Sequence, residues 1–232
     1  MLNNPLWSSL TGRHARFASG DDALKVYPWE MVPFAAVPEP NTRLTDERLS
    51  GALGERPFVY FVGALPLVES ERYEETALPD IVQMVCAQLH PSTRDVPFRE
   101  LTHDDVPAMI DLTSRVYPAY FRERTIEMGP YLGIHEGDEL VAMAGLRMAP
   151  QGYRELSGVC TDPRVAGRGY AGLLCTRLAE RVIAAGEIPM LHFDANNVRA
   201  RRLYEALGFE VRSTAISMCR VSRRGEQAHT EV

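Results

Sequence analysis

Two arginines and three glycines lie close together in the stretch Arg164–Gly172, R-V-A-G-R-G-Y-A-G. Glycines let a backbone approach a ligand closely, because they carry no side chain and adopt conformations closed to other residues. The stretch also precedes a helical pattern of apolar residues, so its backbone amides would point out of a helix N-terminus. Such a terminus attracts anions, and phosphates above all. These residues therefore predict a phosphate-binding loop.

The segments on either side of this loop read as a strand and a helix. Residues Glu155–Thr161 have the apolar and β-branched character of a strand, and Asp162-Pro163 ends it. From Tyr170 onward the sequence predicts an amphipathic helix with Gly186 as its end cap. The apolar residues of this helix recur every four positions: Leu174, Leu178 and Val182. Strand, loop and helix would thus hold the phosphate site.

The loop fits two families of phosphate-binding motif. Gly167, Gly169 and Gly172 match the dinucleotide-binding pattern G-x-G-x-x-G, with Asp194 at a suitable distance. In that fold, however, the first glycine follows the strand almost directly, whereas Asp162–Ala166 intervene here, and the remaining chain is too short for further βα units. The same residues, Arg164–Gly169, resemble the [Q/R]-x-x-G-x-[G/A] loop of the GNAT acetyltransferase superfamily.

Two further segments resemble the same superfamily. Asn197–Phe209 reads N-x-x-A-x-x-L-Y-x-x-x-G-F, and F-R-E-L-T-H-D-D-V-P-A-M-I-D-L, from Phe98, resembles the opening strand and helix of a GNAT domain. The resemblance covers about Val96 to Val221. The segment E-L-S-G-V-C-T-D-P, from Glu155, is particularly similar to the subgroup related to the C-terminal half of glycine N-acyltransferases.

The resemblance implies an α/β (α+β) GNAT fold. Its sheet is mixed and mostly antiparallel, with a V-shaped splay between two central strands and helices on both sides. We expect the GNAT domain at residues 96–222, and an N-terminal α/β region at residues 1–95 that is a candidate for a degenerate copy of the fold. Residues 223–232 are expected to form a disordered tail.

Local patterns predict the other elements. In the N-terminal region these are a helix within Pro5–Ala18, extended pieces over Lys25–Val37, a helix at Asp46–Leu53, a strand at Pro57–Leu65, an exposed acidic stretch at Glu69–Asp80, a helix or strand at Ile81–Leu89 and a linker at Pro91–Pro97. In the GNAT region they are a strand at Phe98–Leu101, helices at Asp104–Arg115 and Pro118–Met128, strands at Tyr131–Glu136 and Glu139–Met148 joined by Gly137-Asp138, a strand at Pro189–Asp194, a helix capped by Asn196-Asn197 and ended by Gly208, and two closing strands within Phe209–Val221.

The resemblance also implies a set of cofactor-binding residues for acetyl-CoA or another acyl-CoA. Backbone groups of Val159 and Thr161 would pair with the pantetheine arm, and the amides of Val165–Tyr170 would hold the pyrophosphate. The two arginines of the loop would add charge near the phosphates or simply be solvated. Asn197 would bind the pantetheine or merely cap its helix. The full set is Val159, Cys160, Thr161, Arg164, Val165, Ala166, Gly167, Arg168, Gly169, Tyr170, Ala171, Asn197 and Tyr204.

Attack of an amine on a thioester needs a base, a donor to the oxyanion and an acid for the leaving thiolate. The resemblance assigns the acid to Tyr204, since a phenol is protonated at neutral pH. Glu155 is the candidate base, directly or through water, and His192 on the adjacent strand is an alternative. A backbone amide near Val159 or Cys160 would bind the oxyanion. Packing roles for Tyr204 and Glu155 stay open, and Cys160 is not expected to be acylated.

Composition bounds the remaining possibilities. The 232 residues carry a net charge of −6, which argues against nucleic acid as a partner. The four cysteines are widely spaced, so we expect buried thiols in a reducing compartment and no metal site. No apolar run reaches membrane-spanning length. We therefore expect a cytoplasmic protein, monomer or homodimer, whose partner is a small-molecule amine.

The sequence thus predicts an acyl-CoA-dependent N-acetyltransferase, an acyltransferase that transfers groups other than amino-acyl groups. It would move acetyl to a primary amine of a small molecule or amino acid by direct attack in a ternary complex. One alternative is a non-catalytic module that binds acyl-CoA. The other is a nucleotide-dependent oxidoreductase, which the position of the glycine loop disfavours.

Overall fold

The computed structural model describes residues 1–116 and 120–225. These residues contain five α-helices: α1 (Pro5–Leu10), α2 (Asp46–Leu53), α3 (Val106–Val116), α4 (Tyr170–Ala184) and α5 (Val198–Ala206). They also contain thirteen strands: β1 (Ser19–Gly20), β2 (Lys25–Val26), β3 (Ala35–Ala36), β4 (Arg43–Thr45), β5 (Phe58–Val62), β6 (Leu67–Glu69), β7 (Tyr73–Cys86), β8 (Arg99–Glu100), β9 (Tyr131–Glu136), β10 (Glu139–Leu146), β11 (Tyr153–Thr161), β12 (Ile188–Asp194) and β13 (Phe209–Arg223).

Eight of these strands form one sheet in the order β5-β13-β7-β12-β11-β10-β9-β8. Its pairs are antiparallel except for β11 and β12, which run parallel. Strands β1-β2-β3 and β4-β6 form two small separate sheets. This mixed, mostly antiparallel sheet with flanking helices is the GNAT fold, so the predicted fold class is confirmed. It is not the parallel, doubly wound sheet that the dinucleotide-binding alternative requires.

Strand β7 from the N-terminal region lies between β12 and β13. Its second half pairs with β12 from Ile81 to Val85, and its whole length runs beside β13. The first half is an acidic, mostly exposed stretch, as expected, but it is a strand because β13 pairs with it. Pro79 is tolerated there because β13 shifts register at that point and needs no hydrogen bond from it.

The prediction of two closing strands within residues 209–221 is wrong. The chain forms one 15-residue strand, β13, which pairs with β7 on one edge and β5 on the other. Between Val211 and Met218 its register shifts against β7, so bulges rather than a turn absorb the polar residues. The segment has none of the Gly, Pro, Asn or Asp residues that favour a reversal.

The predicted helix at residues 118–128 is also wrong over its described part. Residues 117–119 lie outside the described residues, residues 120–124 are irregular, and only Thr125–Met128 forms a short 3-10 turn. Thr125 explains the irregular path, since its hydroxyl accepts from the Arg122 amide at 2.8 Å and donates to the Met31 carbonyl at 2.6 Å. A side chain bonded to a distant backbone in this way competes with helical hydrogen bonds.

The remaining predicted elements mostly have the expected type. Helix α1 is shorter than the predicted 5–18 span and is followed by a separate 3-10 turn at Ala15–Phe17. The hairpin of β9 and β10 turns at Gly137, whose φ is +62°. Residues 87–98 have no regular structure, as expected of a linker. The division into regions 1–95 and 96–222 stays a prediction, and strands from both regions share the large sheet.

The two faces of the large sheet are covered by different parts of the chain. Helices α4 and α5 cover one face, where Leu174, Leu178 and Tyr204 pack against Leu156 and Phe193. Residues of the N-terminal region, including Leu6, Leu10 and Phe34, cover the other face over β5, β7 and β13. Helix α3 packs on β10 and β11. At the C-terminal ends of β11 and β12 the sheet is followed by loops.

Candidate functional site

Strands β11 and β12 separate partway along their length. They pair in parallel from Tyr153 with Ile188 to Leu156 with Leu191, and no pairing between them follows among the described residues. Beyond that point β12 pairs instead with β7, while β11 continues beside β10. A cleft therefore opens between the last residues of β11 and β12, as predicted for the V-shaped splay.

A bulge in β11 lies at the mouth of this cleft. Ser157 and Cys160 oppose Gly145 and Met143, so two residues of β11 face one residue of β10. Gly158 occupies the bulge with φ of +59°, a conformation that side chains disfavour. The bulge changes the direction of backbone groups at Gly158 and Val159, close to the position where sequence reasoning places the oxyanion donor.

The strand side of the cleft carries one buried polar atom that lacks a partner. The Thr161 hydroxyl is buried and forms no hydrogen bond with any residue in 1–116 or 120–225. An unsatisfied buried hydroxyl is costly unless another group bonds it. Thr161 is a predicted cofactor contact, and its position at the end of the splayed strand fits a polar ligand in the cleft.

The glycine loop is separated from β11 by a 3-10 turn at Pro163–Val165 and keeps its backbone exposed. Val165 and Tyr170 are buried and fix its two ends, whereas residues 166–169 are exposed. Gly167 and Gly169 have φ of +85° and +81°, and a side-chain carbon at Gly167 would meet nothing within 4 Å. Helix α4 begins at this loop, with Gly169 as N-cap and no side chain capping it. The first-turn amides of α4 therefore have no side-chain cap, and their role in binding an anion stays a prediction.

Both arginines of the loop form ion pairs. Arg164 contacts Asp162 at 2.8 Å and also Glu139, and these contacts raise its pKa. Arg168 lies 2.6 Å from Glu136, which also accepts from the Tyr170 hydroxyl at 2.8 Å. These ion pairs order the loop, and they partly neutralise the cations that the sequence assigns to phosphate binding.

Asp162 anchors the start of the loop. Its buried carboxylate accepts from the Arg164 backbone amide at 2.9 Å and from the Arg164 and Arg115 guanidinium groups. The hydrogen bonds from Arg164 hold the pKa of Asp162 below its ordinary value. The Asp-Pro step that ends β11 therefore also fixes where the glycine loop begins.

Tyr204 lies in α5, on the other side of the cleft, and Asn197 is the N-cap of that helix. The Asn197 side chain accepts from the Ala200 amide at 2.9 Å, so it caps the helix. Tyr204 is 6% exposed and lies edge-on to Phe193 of β12, with ring centroids 5.8 Å apart. The capping role of Asn197 is observed, and the cofactor and acid roles of the two residues stay predictions.

Glu155 lies on the opposite face of the sheet, at the base of the cleft. Its carboxylate accepts from Arg147 at 2.9 and 3.0 Å, from the Met148 amide at 3.2 Å and from His192 Nδ1 at 2.9 Å. Burial alone would raise the pKa of Glu155, but the Arg147 charge and the hydrogen bonds from His192 and Arg147 lower it below the ordinary range. The carboxylate is therefore ionised, and it is a weak direct proton acceptor.

His192 connects Glu155 to the N-terminal region. Its Nδ1–H donates to Glu155, and its Nε2 accepts from the Gln83 side-chain amide at 2.8 Å. The same amide donates to the Leu2 carbonyl at 3.0 Å, and its oxygen accepts from Arg212 at 2.7 Å. Only 3% of the His192 side chain is exposed. Both ring nitrogens are thus occupied in a polar network that crosses the sheet.

Sequence reasoning missed several residues of this site. It did not identify Arg147, which directly follows β10, or Gln83 of β7, because neither matches a motif. It also missed Arg94 of the linker, whose side chain lies beside Gly169. Only the folded sheet brings these residues to the cleft.

The predicted cofactor residues lie at the C-terminal ends of the two central strands or in the segments that follow them. Because β11 and β12 are parallel, both strands end on this side of the cleft, with the glycine loop after one and α5 after the other. No group of three or more His, Cys, Asp or Glu side chains suited to a metal was found within the described parts of the chain. None of the described helices has the length and apolar character needed to cross a bilayer.

Comparisons with known proteins agree with this architecture. Residues 131–219 match the family described as FR47-like protein. A GNAT-family structure from Novosphingobium aromaticivorans is similar over 96% of this chain and 98% of its own, with 29% identity and a TM-score of 0.80. A GCN5-related N-acetyltransferase from Kribbella flavida covers 95% of this chain and 96% of its own at 13% identity, with a TM-score of 0.58. A search of the curated proteins found no match.

The fold and the position of the cleft define a protein of the GNAT architecture. Residues 131–219 are similar to the FR47-like family, and nearly the whole chain is similar to the Novosphingobium protein, which is described as an acetyltransferase of the GNAT family. The Kribbella protein, at lower identity, supports the fold alone. The glycine N-acyltransferase subgroup is not identified by these comparisons.

Proposed function

We propose that this chain is an acyl-CoA-dependent N-acyltransferase that transfers acetyl from acetyl-CoA to a primary amine of a small molecule or amino acid. The observation that carries the proposal is the cleft between β11 and β12, which opens beside the exposed glycine loop and the uncapped N-terminus of α4. A phosphate-bearing ligand with a narrow arm fits this combination, since the loop can bind phosphates while the free strand edge accepts backbone-like hydrogen bonds.

The residues of the cleft fit the parts of such a ligand. Backbone amides of the glycine loop would hold the pyrophosphate, and the Thr161 hydroxyl would bond the pantetheine arm. Backbone groups at Val159 and Cys160, beside the bulge, would pair with the arm and bind the oxyanion. Acetyl-CoA, when bound, supplies an acetyl group activated as a thioester.

The proposed acid and the proposed base lie on opposite faces of the sheet. The Tyr204 hydroxyl would donate its proton to the leaving sulfur from the α5 side. Glu155 would accept the ammonium proton through a water molecule rather than directly, because its carboxylate already holds four donors. Its lowered pKa keeps it ionised at neutral pH. His192 would hold the carboxylate in place.

The acceptor and setting are proposed more broadly. Similarity of the Glu155–Pro163 segment to glycine N-acyltransferases favours a glycine-like amine as acceptor. All four cysteines are free and buried, which suits a reducing compartment such as the cytoplasm. We propose a monomer or homodimer that acts on a small molecule, without nucleic acid or membrane.

The first test is thermal unfolding with acetyl-CoA, CoA or NADH. A ligand present at about 100 times its dissociation constant stabilises the native state by roughly 2.7 kcal/mol. We expect both CoA compounds to raise Tm and NADH to leave it unchanged. A shift with NADH alone would favour the oxidoreductase alternative, and no shift with either CoA compound would contradict the proposal.

The second test separates an enzyme from a binding module. Release of free CoA thiol is measured with a panel of amines for the wild type and for Tyr204→Phe. Loss of an acid in the transition state should lower kcat by roughly 100-fold while leaving the CoA dissociation constant unchanged. Binding of CoA without turnover of any amine would favour the non-catalytic module.

A further inference from the structure

The linker between the N-terminal region and β8 is attached to the first half of α4. The Ser92 backbone amide donates to the Thr176 hydroxyl at 3.0 Å, and the Ser92 hydroxyl accepts from the Arg94 amide at 3.2 Å. A side-chain carbon at Gly172 would lie 3.8 Å from the Ser92 hydroxyl. The third glycine of the motif therefore faces the linker and α5 rather than open space.

This attachment places Arg94 over the N-cap of α4. Three carbons of its side chain lie 3.7–3.9 Å from the position that a Cβ of Gly169 would occupy. Its guanidinium has no hydrogen bond or ion pair with any residue in the described ranges 1–116 and 120–225. Arg94 is exposed, so its long side chain can reach along the loop.

The other cations of the loop are already paired. Arg164 contacts Asp162 and Glu139, and Arg168 contacts Glu136. An added phosphate would have to compete with these carboxylates for the same guanidinium groups. Arg94 faces no such competition, and a guanidinium binds two phosphate oxygens at once through parallel N–H donors.

We propose that Arg94 binds the diphosphate of the acyl-CoA, so that the linker supplies a cation to a site otherwise built from the GNAT motifs. This inference rests on the proposed function, because it assumes that CoA occupies the cleft. It adds a binding residue that comes from the linker and that matches no motif of the loop. The linker would then lie beside the diphosphate at the N-cap of α4.

Isothermal titration with CoA and with dephospho-CoA tests the assignment. Both ligands contain the diphosphate, and only CoA contains the 3′-phosphate. We expect Arg94→Gln to raise Kd about tenfold for both ligands, as for loss of one charge-assisted contact. Arg94→Lys should have a smaller effect, because it retains the charge without the bidentate geometry. Increasing salt should weaken binding by the wild type more than by Arg94→Gln.

Arg43→Gln is the matched control, since it removes an exposed arginine from β4, in a separate two-stranded sheet. Its Kd values should equal those of the wild type. Equal Kd values for Arg94→Gln and the wild type would overturn the role of Arg94 while leaving the proposed function intact. An effect on CoA alone would overturn the diphosphate assignment. Absence of CoA binding by the wild type would overturn the proposed function and this inference together.

Discussion

The buried pair of Arg147 and Glu155 gives a prediction whose size follows from the structure. Only 1% of the Glu155 side chain and 15% of the Arg147 side chain are exposed, and four hydrogen bonds converge on the carboxylate. Glu155→Gln keeps the shape and removes the charge. The amide nitrogen of the new glutamine would then lie against hydrogen-bond donors that it cannot accept from, and Arg147 would lose its counterion.

Removal of one partner from a buried ion pair costs about 3–5 kcal/mol. Arg147 is partly exposed and Gln retains one acceptor, so we expect Glu155→Gln to lower the free energy of unfolding by about 3 kcal/mol. Arg147→Met should cost a similar amount, because it leaves the carboxylate buried without a counterion. The double variant Arg147→Met/Glu155→Gln should cost less than the sum of the two single variants, since no unpaired charge remains.

Urea unfolding of the four proteins at pH 7, followed by circular dichroism, measures this cycle. We expect a coupling energy of at least about 2 kcal/mol. The pKa of Glu155 is lowered in the native state, so its contribution is complete above the unfolded value of about 4.3 and is lost as pH falls. The difference in free energy of unfolding between wild type and Glu155→Gln should therefore be smaller at pH 3 than at pH 7. Additive single effects, or a cost for Glu155→Gln below about 1 kcal/mol, would refute the reasoning.

Three further predictions concern single buried groups. Burial, helped by the Arg154 charge, lowers the pKa of His14 to about 4. Between pH 6.5 and pH 4 the unfolded protein therefore binds a proton at this histidine that the native protein does not bind. The free energy of unfolding, measured by urea titration, should fall by about 3 kcal/mol over this range in the wild type and by much less in His14→Gln. Burial raises the pKa of Cys175 to about 12, and all four thiols are buried, so the native protein should react with a thiol reagent at pH 8 only slowly, and all four should react in denaturant. A side-chain carbon at Gly208 would lie 1.7 Å from the Gln88 carbonyl oxygen, so Gly208→Ala should lower the free energy of unfolding by at least about 3 kcal/mol. Gly186 has a similar φ but open space around it, so Gly186→Ala should lower it by about 1 kcal/mol. Equal costs for the two glycines would contradict the steric argument.

The features that sequence predicted well are local ones. Helix α2 has the predicted bounds, and the hairpin of β9 and β10 turns where Gly137-Asp138 indicates. The strand, glycine loop and helix around Gly167 also follow the pattern, because each is set by residues close in the chain. The GNAT resemblance then supplied their arrangement around the cleft.

The features that sequence did not predict depend on distant partners. The acidic half of β7 has no strand pattern of its own and becomes a strand only because β13 pairs with it. The irregular path before Thr125 follows from a hydrogen bond to Met31. The network that joins Glu155 to His192 and Gln83 requires three strands to be adjacent. Such contacts carry no short-range signal in one sequence.

The position of β7 between β12 and β13 has a consequence during synthesis. Strand β7 ends at Cys86, and its first large-sheet neighbour on one side, β12, begins at Ile188, roughly 100 residues later. At typical translation rates of about 5–20 residues per second, β7 waits on the order of 5–20 s for that neighbour. During this interval the apolar residues Val82 and Met84 lack their sheet partners. The nascent chain therefore exposes an unpaired, apolar strand edge. A chaperone that binds extended apolar segments could bind this edge before synthesis of the chain is complete.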